Sequence, residues 1–455
     1  MNRRIAIVGG GVAGLTAAFD LHRHSRHVHL FEAGDRLGGK LQTAPFAGVD
    51  LDAGPDSVLA RVPWAIDLFQ ELGLDDEIVP QPPGSAYIYS RGELRRIPEG
   101  NVLGVPADLD ALVASEVVSP EAVSRAAEDL TRPDDRPDGD ESVGSLIRRR
   151  LGDEILERLV DPLLGGINAG DSDRLSLAAG APQIATAATG PHASLIEALR
   201  EQRAKAPAPS GAPVFYTLRG GLGRLIDALA DALDGADVRT DSQVETIERA
   251  NGCWRLSTAT GVVEADGVIL AAPAFVASDL LTEIAPDAAT GLGQIEYSSV
   301  ALVAMAFPDQ AAGHPLDASG FLVPRAEGLL LTAASWASTK WPHLARPGQF
   351  LVRASAGRFG DTRAMEMDDD TLVDAMLADL ATTMDLRGDP TEVRVSRWPD
   401  SFPQYTPGHL DRVAAIEAAL TASAPGIVLA GAAYRGVGIP ACINSAHQAV
   451  AALTG

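Results

Sequence analysis

The sequence is poor in cysteine and in positive charge. Its two cysteines, Cys253 and Cys442, are too few for a disulfide framework and lack the paired spacing of a zinc or iron–sulfur site. The 37 Lys and Arg residues are outnumbered by 61 Asp and Glu residues, which gives a net charge of −24. This charge argues against nucleic acid or an anionic membrane surface as a general partner, and an anionic substrate would need a local basic pocket.

Long hydrophobic runs are also missing. No run reaches the roughly 18 residues of a membrane-spanning helix, and the longest candidates, such as SSVALVAMAF, suit core strands. The first residues, MNRR, lead directly into a strand, with no separate signal peptide. We therefore expect a cytoplasmic protein with no integral membrane segment, and the sequence leaves peripheral membrane contact open.

The clearest motif is IVGGGVAGLTAA, residues 7–18, which has the pattern of a strand, a glycine turn and a helix. Gly9, Gly11 and Gly14 fit G-x-G-x-x-G, in which the glycines make the turn, admit a pyrophosphate and allow close helix packing. A second strand ends at Glu32, close to the distance of about 20 residues at which a carboxylate reaches the adenosine ribose. A purely structural turn with a surface glutamate is the alternative, but the register of all these features predicts a bound dinucleotide.

A second glycine-rich turn, AYRGVGIPACINSA, leads into the last predicted helix. Dinucleotide enzymes that use NAD usually have one contiguous binding unit, whereas turns at both ends of the chain suit the longer FAD. A helix N-terminus at residues 438–444 would direct its dipole at the flavin and stabilise negative charge on the reduced ring. The alternative is a plain helix start with Pro440 in its first turn.

The pattern between these turns predicts an α/β fold. We expect a FAD-binding Rossmann-like domain built from discontinuous segments, together with a helical insertion domain and an α+β substrate-binding domain. The predicted bounds are 1–61, 206–285 and 400–455 for the FAD-binding domain, 62–205 for the insertion and 286–399 for the substrate domain. A hairpin is predicted at GSAYIYSRGELRRIP, and REQRAKAPAPSGAP has the composition of a linker or mobile loop.

A series of motifs resembles the protoporphyrinogen oxidase family, especially its bacterial coproporphyrinogen III oxidase branch. In order they are IVGGGVAGLTAA, Glu32, RLGGK, DAGPDS, GGINAGDSDRLSL, TLRGGLGRL, SRWPDSFPQYTPGH and AGAAYRGVGIPACINSA. The first motifs are shared with the wider superfamily of FAD-dependent amine oxidases and carotenoid desaturases, and they specify FAD. Those more particular to porphyrinogen oxidases are NAGDSDRLSL, WPDSFPQY with GH, and YRGVGIPACI.

The resemblance implies a flavoprotein that oxidises coproporphyrinogen III to coproporphyrin III in haem biosynthesis. Noncovalent FAD would be reoxidised by oxygen to give hydrogen peroxide, and the tetrapyrrole would lie over the flavin, between the substrate and helical domains. Contact with the next haem-pathway enzyme belongs to the same expectation. By family pattern, the residues expected to bind FAD are Gly9, Gly10, Gly11, Val12, Ala13, Gly14, Glu32, Ala33, Arg36, Gly39, Lys40, Gly54, Pro55, Asp56, Ser57, Val244 (through its backbone), Ala432, Val437, Gly438 and Ile439.

Porphyrinogen oxidation asks mainly for proximity and a dry, shaped pocket, because the pyrroles beside a bridge carbon activate its C–H bond towards hydride loss. We therefore expect no catalytic base. Coproporphyrinogen carries four propionates, for which arginines are the natural partners. Arg61 and Arg219, adjacent to flavin motifs, are the candidates, although a surface or structural role is equally open for each. Asn168 and Tyr87 are further candidate pocket residues.

Other functions stay open at this point. One is protoporphyrinogen IX oxidation, although Ala86 stands where eukaryotic relatives place a substrate-contacting arginine. Another is a different FAD oxidoreductase: an amine oxidase would need an aromatic cage, for which Tyr434 is the obvious candidate. The third is a flavin-containing porphyrin carrier. His409 and Cys442 are interpreted as structural residues.

Overall fold

The computed structural model describes residues 3–133, 135–205 and 213–454. Of the predicted linker REQRAKAPAPSGAP, residues 206–212 lie outside the described part, and residues 200–205 complete a helix. Among the described residues, no helix is both long and apolar enough to cross a membrane.

The strands are, in chain order, β1 (Arg4–Val8), β2 (His27–Phe31), β3 (Thr43–Phe46), β4 (Val49–Asp52), β5 (Val58–Leu59), β6 (Ile78–Pro80), β7 (Tyr87–Ser90), β8 (Glu93–Arg96), β9 (Asn101–Val102), β10 (Val105–Pro106), β11 (Phe215–Leu218), β12 (Asp237–Arg239), β13 (Val244–Ala250), β14 (Cys253–Thr258), β15 (Gly261–Ala265), β16 (Gly267–Leu270), β17 (Tyr297–Pro308), β18 (Gly320–Leu322), β19 (Leu331–Trp336), β20 (Gln349–Ala356), β21 (Glu392–Pro403) and β22 (Ile427–Leu429).

The helices are, in chain order, α1 (Val12–Arg23), α2 (Trp64–Glu71), α3 (Leu109–Ser115), α4 (Pro120–Ala127), α5 (Val143–Leu151), α6 (Asp153–Ile155), α7 (Asp161–Asn168), α8 (Leu177–Gly180), α9 (Pro182–Ala188), α10 (Leu195–Lys205), α11 (Gly223–Asp231), α12 (Ala274–Leu281), α13 (Pro286–Gly293), α14 (Ala337–Lys340), α15 (Arg363–Glu366), α16 (Asp369–Met384), α17 (His409–Ser423) and α18 (Ile439–Thr454). A π-helical segment, Leu156–Val160, joins α6 to α7.

The first large sheet is parallel, with the strand order β12-β2-β1-β16-β22. Its central strands β1 and β16 are mainly apolar on both faces because both faces are covered. Ile5 and Ile7 of β1 pack among α1, α11 and α18, whereas Ala6 and Val8 pack among α12, α13, α17 and the smaller β13-β14-β15 sheet. This is the α/β, Rossmann-like arrangement that the sequence predicts, and its strands come from the beginning, the middle and the end of the chain.

The second large sheet has the order β21-β17-β20-β19-β18-β7-β8. Neighbouring strands are antiparallel, except that β18 and β7 run parallel. The predicted hairpin at GSAYIYSRGELRRIP is therefore part of this sheet, although it lies within residues 62–205. Helix α16 covers one face of the sheet with Leu372, Met376 and Leu380.

A layer of short helices, α3 to α10, packs around its own apolar cluster on the other face of the second sheet. Ile88 of β7 and Leu164 of α7 both belong to this cluster. Local capping helps to fix the helices: the Ser142 hydroxyl accepts the N–H of Ser145 at 3.0 Å at the start of α5. The helical layer and the second sheet therefore share one interface, and α7 lies within it.

Candidate functional site

The N-terminal glycine turn leaves open space over the first turn of α1. A Cβ on Gly9, whose φ is +107°, would lie 2.8 Å from the carbonyl oxygen of Ala271, and one on Gly14 would lie 1.9 Å from that of Gly9. A Cβ on Gly11, by contrast, would meet nothing within 4 Å. Two of these glycines are thus required for packing, while the third borders space at a helix N-terminus, which suits a pyrophosphate.

The Glu32 carboxylate lies beside this turn. It accepts the backbone N–H groups of Gly10 at 2.7 Å and Gly34 at 2.8 Å, which hold it in a fixed direction. The Glu32 carbonyl accepts the N–H of Ser242 at 2.8 Å, so the start of β13 at the buried Val244 runs close by. Each carboxylate oxygen keeps a free lone pair, and the arrangement fits an adenosine ribose.

Lys40 lies in a cleft between the N-terminal segment and α18. Its side chain is solvent-accessible, yet burial lowers its pKa, and it lies near the Cys442 thiol, whose pKa burial raises to about 11. Among the described residues its ammonium has no hydrogen-bond or ion-pair partner. A Cβ on Gly54 would lie 2.2 Å from the Lys40 carbonyl oxygen, so only glycine fits there. An accessible, unpartnered ammonium in a cleft fits a ligand that carries carbonyl or anionic oxygens.

Two residues expected to bind FAD direct their side chains to the protein. The Arg36 guanidinium donates to the carbonyl of Gly39 at 2.7 Å, within its own loop. The Asp56 carboxylate lies 2.8 Å from Lys340 Nζ and 2.8 Å from an Arg353 nitrogen. Burial opposes ionisation of Asp56, but these two cations hold its pKa well below the usual range. At residue 56 the loop is therefore anchored to β20 and α14, and only its backbone is available to a cofactor.

The C-terminal turn is held by Tyr405. Its hydroxyl donates to the carbonyl of Ala432 and accepts the N–H of Gly436 at 2.9 Å. His409 stacks on the Tyr405 ring at 4.1 Å and its Nε2 donates to the Tyr434 carbonyl at 2.9 Å. Burial lowers the pKa of His409 to about 4, so the imidazole is neutral near pH 7. This agrees with the structural interpretation of His409.

Tyr434, the candidate for an aromatic cage, lies in the protein core. It is 2% exposed and packs in the cluster that contains α12, α13 and α17. Its hydroxyl is buried and has no hydrogen-bond partner among the residues that the structure describes. Tyr434 therefore offers no exposed ring at the turn.

A hydrogen-bonded path links the three porphyrinogen-oxidase motifs. Gln404 Nε2 donates to the carbonyl of Asn168 at 3.1 Å, and the N–H of Ser176 donates to the carbonyl of Tyr405 at 2.6 Å. Val437, in the C-terminal turn, packs against the helical cluster that contains Leu164 of α7. The end of α7, the residues after β21 and the turn before α18 thus meet at one place, between the helical layer and the second sheet.

Two of the four predicted substrate residues, Tyr87 and Asn168, are buried and turned away from open space. Because side chains alternate along a strand, Tyr87 faces the α16 side of the sheet, where its hydroxyl donates to Asp317 at 2.8 Å. That Tyr87 lines the pocket stays a prediction, and the face of β7 on which Tyr87 lies does not support it. Asn168 lies at the meeting point of the motifs, but its amide donates to the Leu164 carbonyl at 3.1 Å.

The two predicted arginines lie on the surface. Arg61 is exposed and donates to Gln183 of α9 at 3.3 Å. Arg219 is exposed at the end of β11, close enough to His343 to help burial lower the pKa of that histidine. The structure brings neither arginine to α7 or to the C-terminal turn.

Gln404, Tyr405, Arg325 and Arg358 were not singled out from the sequence. Gln404 and Tyr405 follow the long strand β21 inside a recognised motif, and polar residues just beyond the end of a strand are a usable signal. Arg358 lies two residues after the end of β20. Arg325 lies in a single 3-10 helical turn, Arg325–Glu327, and gives no comparable signal in the sequence.

Comparisons with known proteins agree with this geometry. Residues 12–454 match the profile of the family described as flavin containing amine oxidoreductase. The chain is 35% identical to the coproporphyrinogen III oxidase of Bacillus subtilis (strain 168), over 98% of this chain and 97% of that protein. It is 37% identical to the enzyme of the same name from Mycobacterium leprae, over 99% and 98%. A solved structure from Exiguobacterium sp. 255-15, assigned as a protoporphyrinogen oxidase, superposes with a TM-score of 0.90 at 35% identity, covering 100% of this chain and 99% of that one.

Proposed function

The chain belongs to the flavin-containing amine oxidoreductase family and is a FAD-dependent oxidoreductase, and we propose that its reaction is the oxidation of coproporphyrinogen III to coproporphyrin III in haem biosynthesis. The observation that carries the proposal is the meeting of the three porphyrinogen-oxidase motifs at the turn before α18. By resemblance, these motifs are more particular to porphyrinogen oxidases than the glycine-rich motifs that bind FAD. The names of the full-length bacterial relatives support the same substrate.

The residues present fit FAD. Gly11 and the N-terminus of α1 offer space for the pyrophosphate, Glu32 offers oxygens to the ribose, and Lys40 lies accessible in the cleft next to α18. Bound FAD supplies a two-electron acceptor. The chain holds and orients the reactants, and the N-terminus of the sixteen-residue helix α18 adds positive potential at the proposed flavin position.

Proton transfer at this turn needs no dedicated base. The Nε2 of His409 is used in holding the Tyr434 carbonyl, and its pKa of about 4 makes it a weak base near pH 7. Burial raises the pKa of the hydroxyls of Tyr405 and Tyr434 far above neutrality. The expected absence of a catalytic base stays a prediction, and these environments support it.

Oxygen is the proposed electron acceptor. Three two-electron steps are needed to reach the aromatic porphyrin, so each coproporphyrinogen III would consume three O2 and release three H2O2. The cytoplasmic location and the contact with the next haem-pathway enzyme likewise stay predictions.

The test is anaerobic mixing of the purified yellow protein with coproporphyrinogen III, protoporphyrinogen IX or putrescine. We expect coproporphyrinogen III to bleach the flavin, and later air to give porphyrin fluorescence and peroxide. Preferential bleaching by protoporphyrinogen IX would change the proposed substrate. Bleaching by putrescine alone would make the protein an amine oxidase, and porphyrin binding without peroxide would make it a carrier.

A further inference from the structure

Arg358 is a buried arginine with no partner in the described part of the chain. It lies two residues after the end of β20 and is 8% exposed, and among the described residues its guanidinium has no hydrogen bond or ion pair. The preceding Gly357 has a φ of +89°, and a Cβ there would lie 2.5 Å from the Ser299 carbonyl oxygen. The N–H of Asp361 bonds the Arg358 carbonyl at 2.8 Å. The backbone is therefore fixed on both sides of Arg358, which fixes the position from which its side chain departs.

A second arginine lies close to Arg358. Arg325 donates to the carbonyl of Gly170 at 2.6 Å, and its Nε is 3.4 Å from the Asp161 carboxylate without a hydrogen bond. The other Asp161 oxygen accepts the N–H of Ser172 at 3.0 Å. Burial, reinforced by the charge of Arg325, lowers the pKa of Arg358 to about 10, so both guanidinium groups are positive near pH 7.

The charges around this pair do not balance. Asp161 lies 3.4 Å from Arg325 and also acts electrostatically on Arg358, and Asp361, the other carboxylate that acts on Arg358, is paired with Arg363 at 2.8 Å. One positive charge is left without a counter-charge in a site that is mostly closed to water. An unpaired buried charge is costly, and the planar fork of a guanidinium suits a carboxylate.

The backbone next to Arg358 connects its positive charge to the place where the three motifs meet. The N–H of Phe359, the residue after Arg358, donates to the carbonyl of Ala169 at 2.8 Å, directly beyond the end of α7. Through Asn168 and Gln404 the same segment reaches the C-terminal turn. We propose that Arg358, with Arg325 beside it, binds one propionate carboxylate of the tetrapyrrole. This inference rests on the proposed function and gives a recognition residue that replaces Arg61 and Arg219 as candidates.

The experiment compares Arg358→Gln and Arg358→Lys with wild type, with Arg387→Gln as the control because Arg387 is an exposed arginine whose partner, Asp385, is not among the charges around Arg358. Coproporphyrinogen III turnover gives KM and kcat, and coproporphyrin III and its tetramethyl ester give Kd by fluorescence. We expect Arg358→Gln to raise KM and the Kd of the free acid about 10- to 100-fold, the value of a charge-assisted pair, with a smaller change in kcat. The lysine variant should recover part of the loss, and the ester should bind all variants alike.

A folding readout separates binding from a structural role. Removing an unpaired buried charge should leave the melting temperature of the Arg358→Gln holoenzyme unchanged or raise it, whereas loss of a structural arginine would lower it. If wild type is active and Arg358→Gln has the same KM and Kd as wild type, this inference is overturned while the proposed function stands. Wild type that neither oxidises coproporphyrinogen nor binds coproporphyrin would overturn the proposed function, and this inference with it.

Discussion

The hydroxyl of Tyr405 accepts the backbone N–H of Gly436 at 2.9 Å and donates to the carbonyl of Ala432. One side chain thus holds two points of the turn that precedes α18, and it does so from the segment that also bonds the end of α7. Hydrogen bonds within the protein therefore help to fix the shape of this turn.

The Tyr405→Phe variant should weaken this turn. Losing the hydroxyl leaves the Gly436 N–H and the Ala432 carbonyl without their partner, which costs about 1–3 kcal/mol in the free energy of unfolding. We also expect weaker FAD binding, measured by titration of the apoprotein. Tyr434→Phe is the control, because its buried hydroxyl has no partner and its removal should be neutral or stabilising. If both variants change the free energy of unfolding and the FAD affinity equally, the hydrogen bonds of the Tyr405 hydroxyl do not stabilise the turn.

Gly11→Ala should lose FAD binding, whereas Gly14→Ala should lose folding. A Cβ at Gly14 meets the Gly9 carbonyl oxygen at 1.9 Å, so this variant should fold poorly. A Cβ at Gly11 meets no protein atom within 4 Å, so this variant should fold but lose FAD, because the methyl group occupies the pyrophosphate space. Circular dichroism and the flavin absorbance of the purified proteins measure the two effects. A yellow Gly11→Ala protein with wild-type FAD affinity would place the pyrophosphate elsewhere.

Asp52 should make the protein less stable as pH rises. Burial raises the pKa of its carboxyl from 3.8 to about 6, so between these values the folded state binds more protons than the unfolded state. The contribution of Asp52 to the free energy of unfolding is therefore fully favourable below about pH 4 and is lost as pH rises through 6. The total loss is on the order of 2–3 kcal/mol. Asp52→Asn should raise stability at pH 7 and flatten this part of the profile.

The asparagine can keep both contacts of Asp52, because the Thr43 hydroxyl and the Leu222 N–H bond the same oxygen, Oδ1. Urea unfolding at pH 4, 5, 6 and 7 gives the profile. A variant that is less stable than wild type at pH 7 would mean that the ionised carboxylate is favourable there.

Asp56→Asn should lower the free energy of unfolding, whereas Asp52→Asn should raise it, and the change should be larger. The carboxylate bridges Lys340 and Arg353, so removing its charge leaves two partly buried cations without a counter-charge, at a cost of about 3–5 kcal/mol. Because Asp56 anchors to β20 and α14 a loop that is expected to bind FAD, we also expect slower flavin reduction by substrate. Glu71→Gln, which breaks an exposed pair with Arg23, is the control and should cost at most about 1 kcal/mol.

The FAD-binding turn could be predicted because its signals are local. Strand, glycines, helix and Glu32 lie within a few dozen residues, and the steric demands of Gly9 and Gly14 act on their immediate neighbours. The role of Asp56 could not be predicted, because Lys340 and Arg353 are far away in the sequence and the pairing exists only once the loop at residue 56 packs against α14 and β20.

Substrate residues were harder to predict, since closeness in sequence to a flavin motif does not decide where a side chain points. Arg61 and Arg219 follow such motifs and lie on the surface, and Tyr87 is separated from the α7 side by the pleat of one strand. Arg358 is distant from every recognised motif, and it reaches the end of α7 only because β20 ends there.

The first sheet takes β1 and β2 from the start of the chain and β22, followed by α18, from its end. During synthesis the ADP half of the proposed cofactor site could form before β22 and α18 have been made, but the proposed flavin half would lack α18 until then. Cofactor capture would thereby have to wait for the synthesis of α18. A chain cut short before β22 would carry the nucleotide motif and yet stay colourless, so retained flavin would report that β22 and α18 are present and folded.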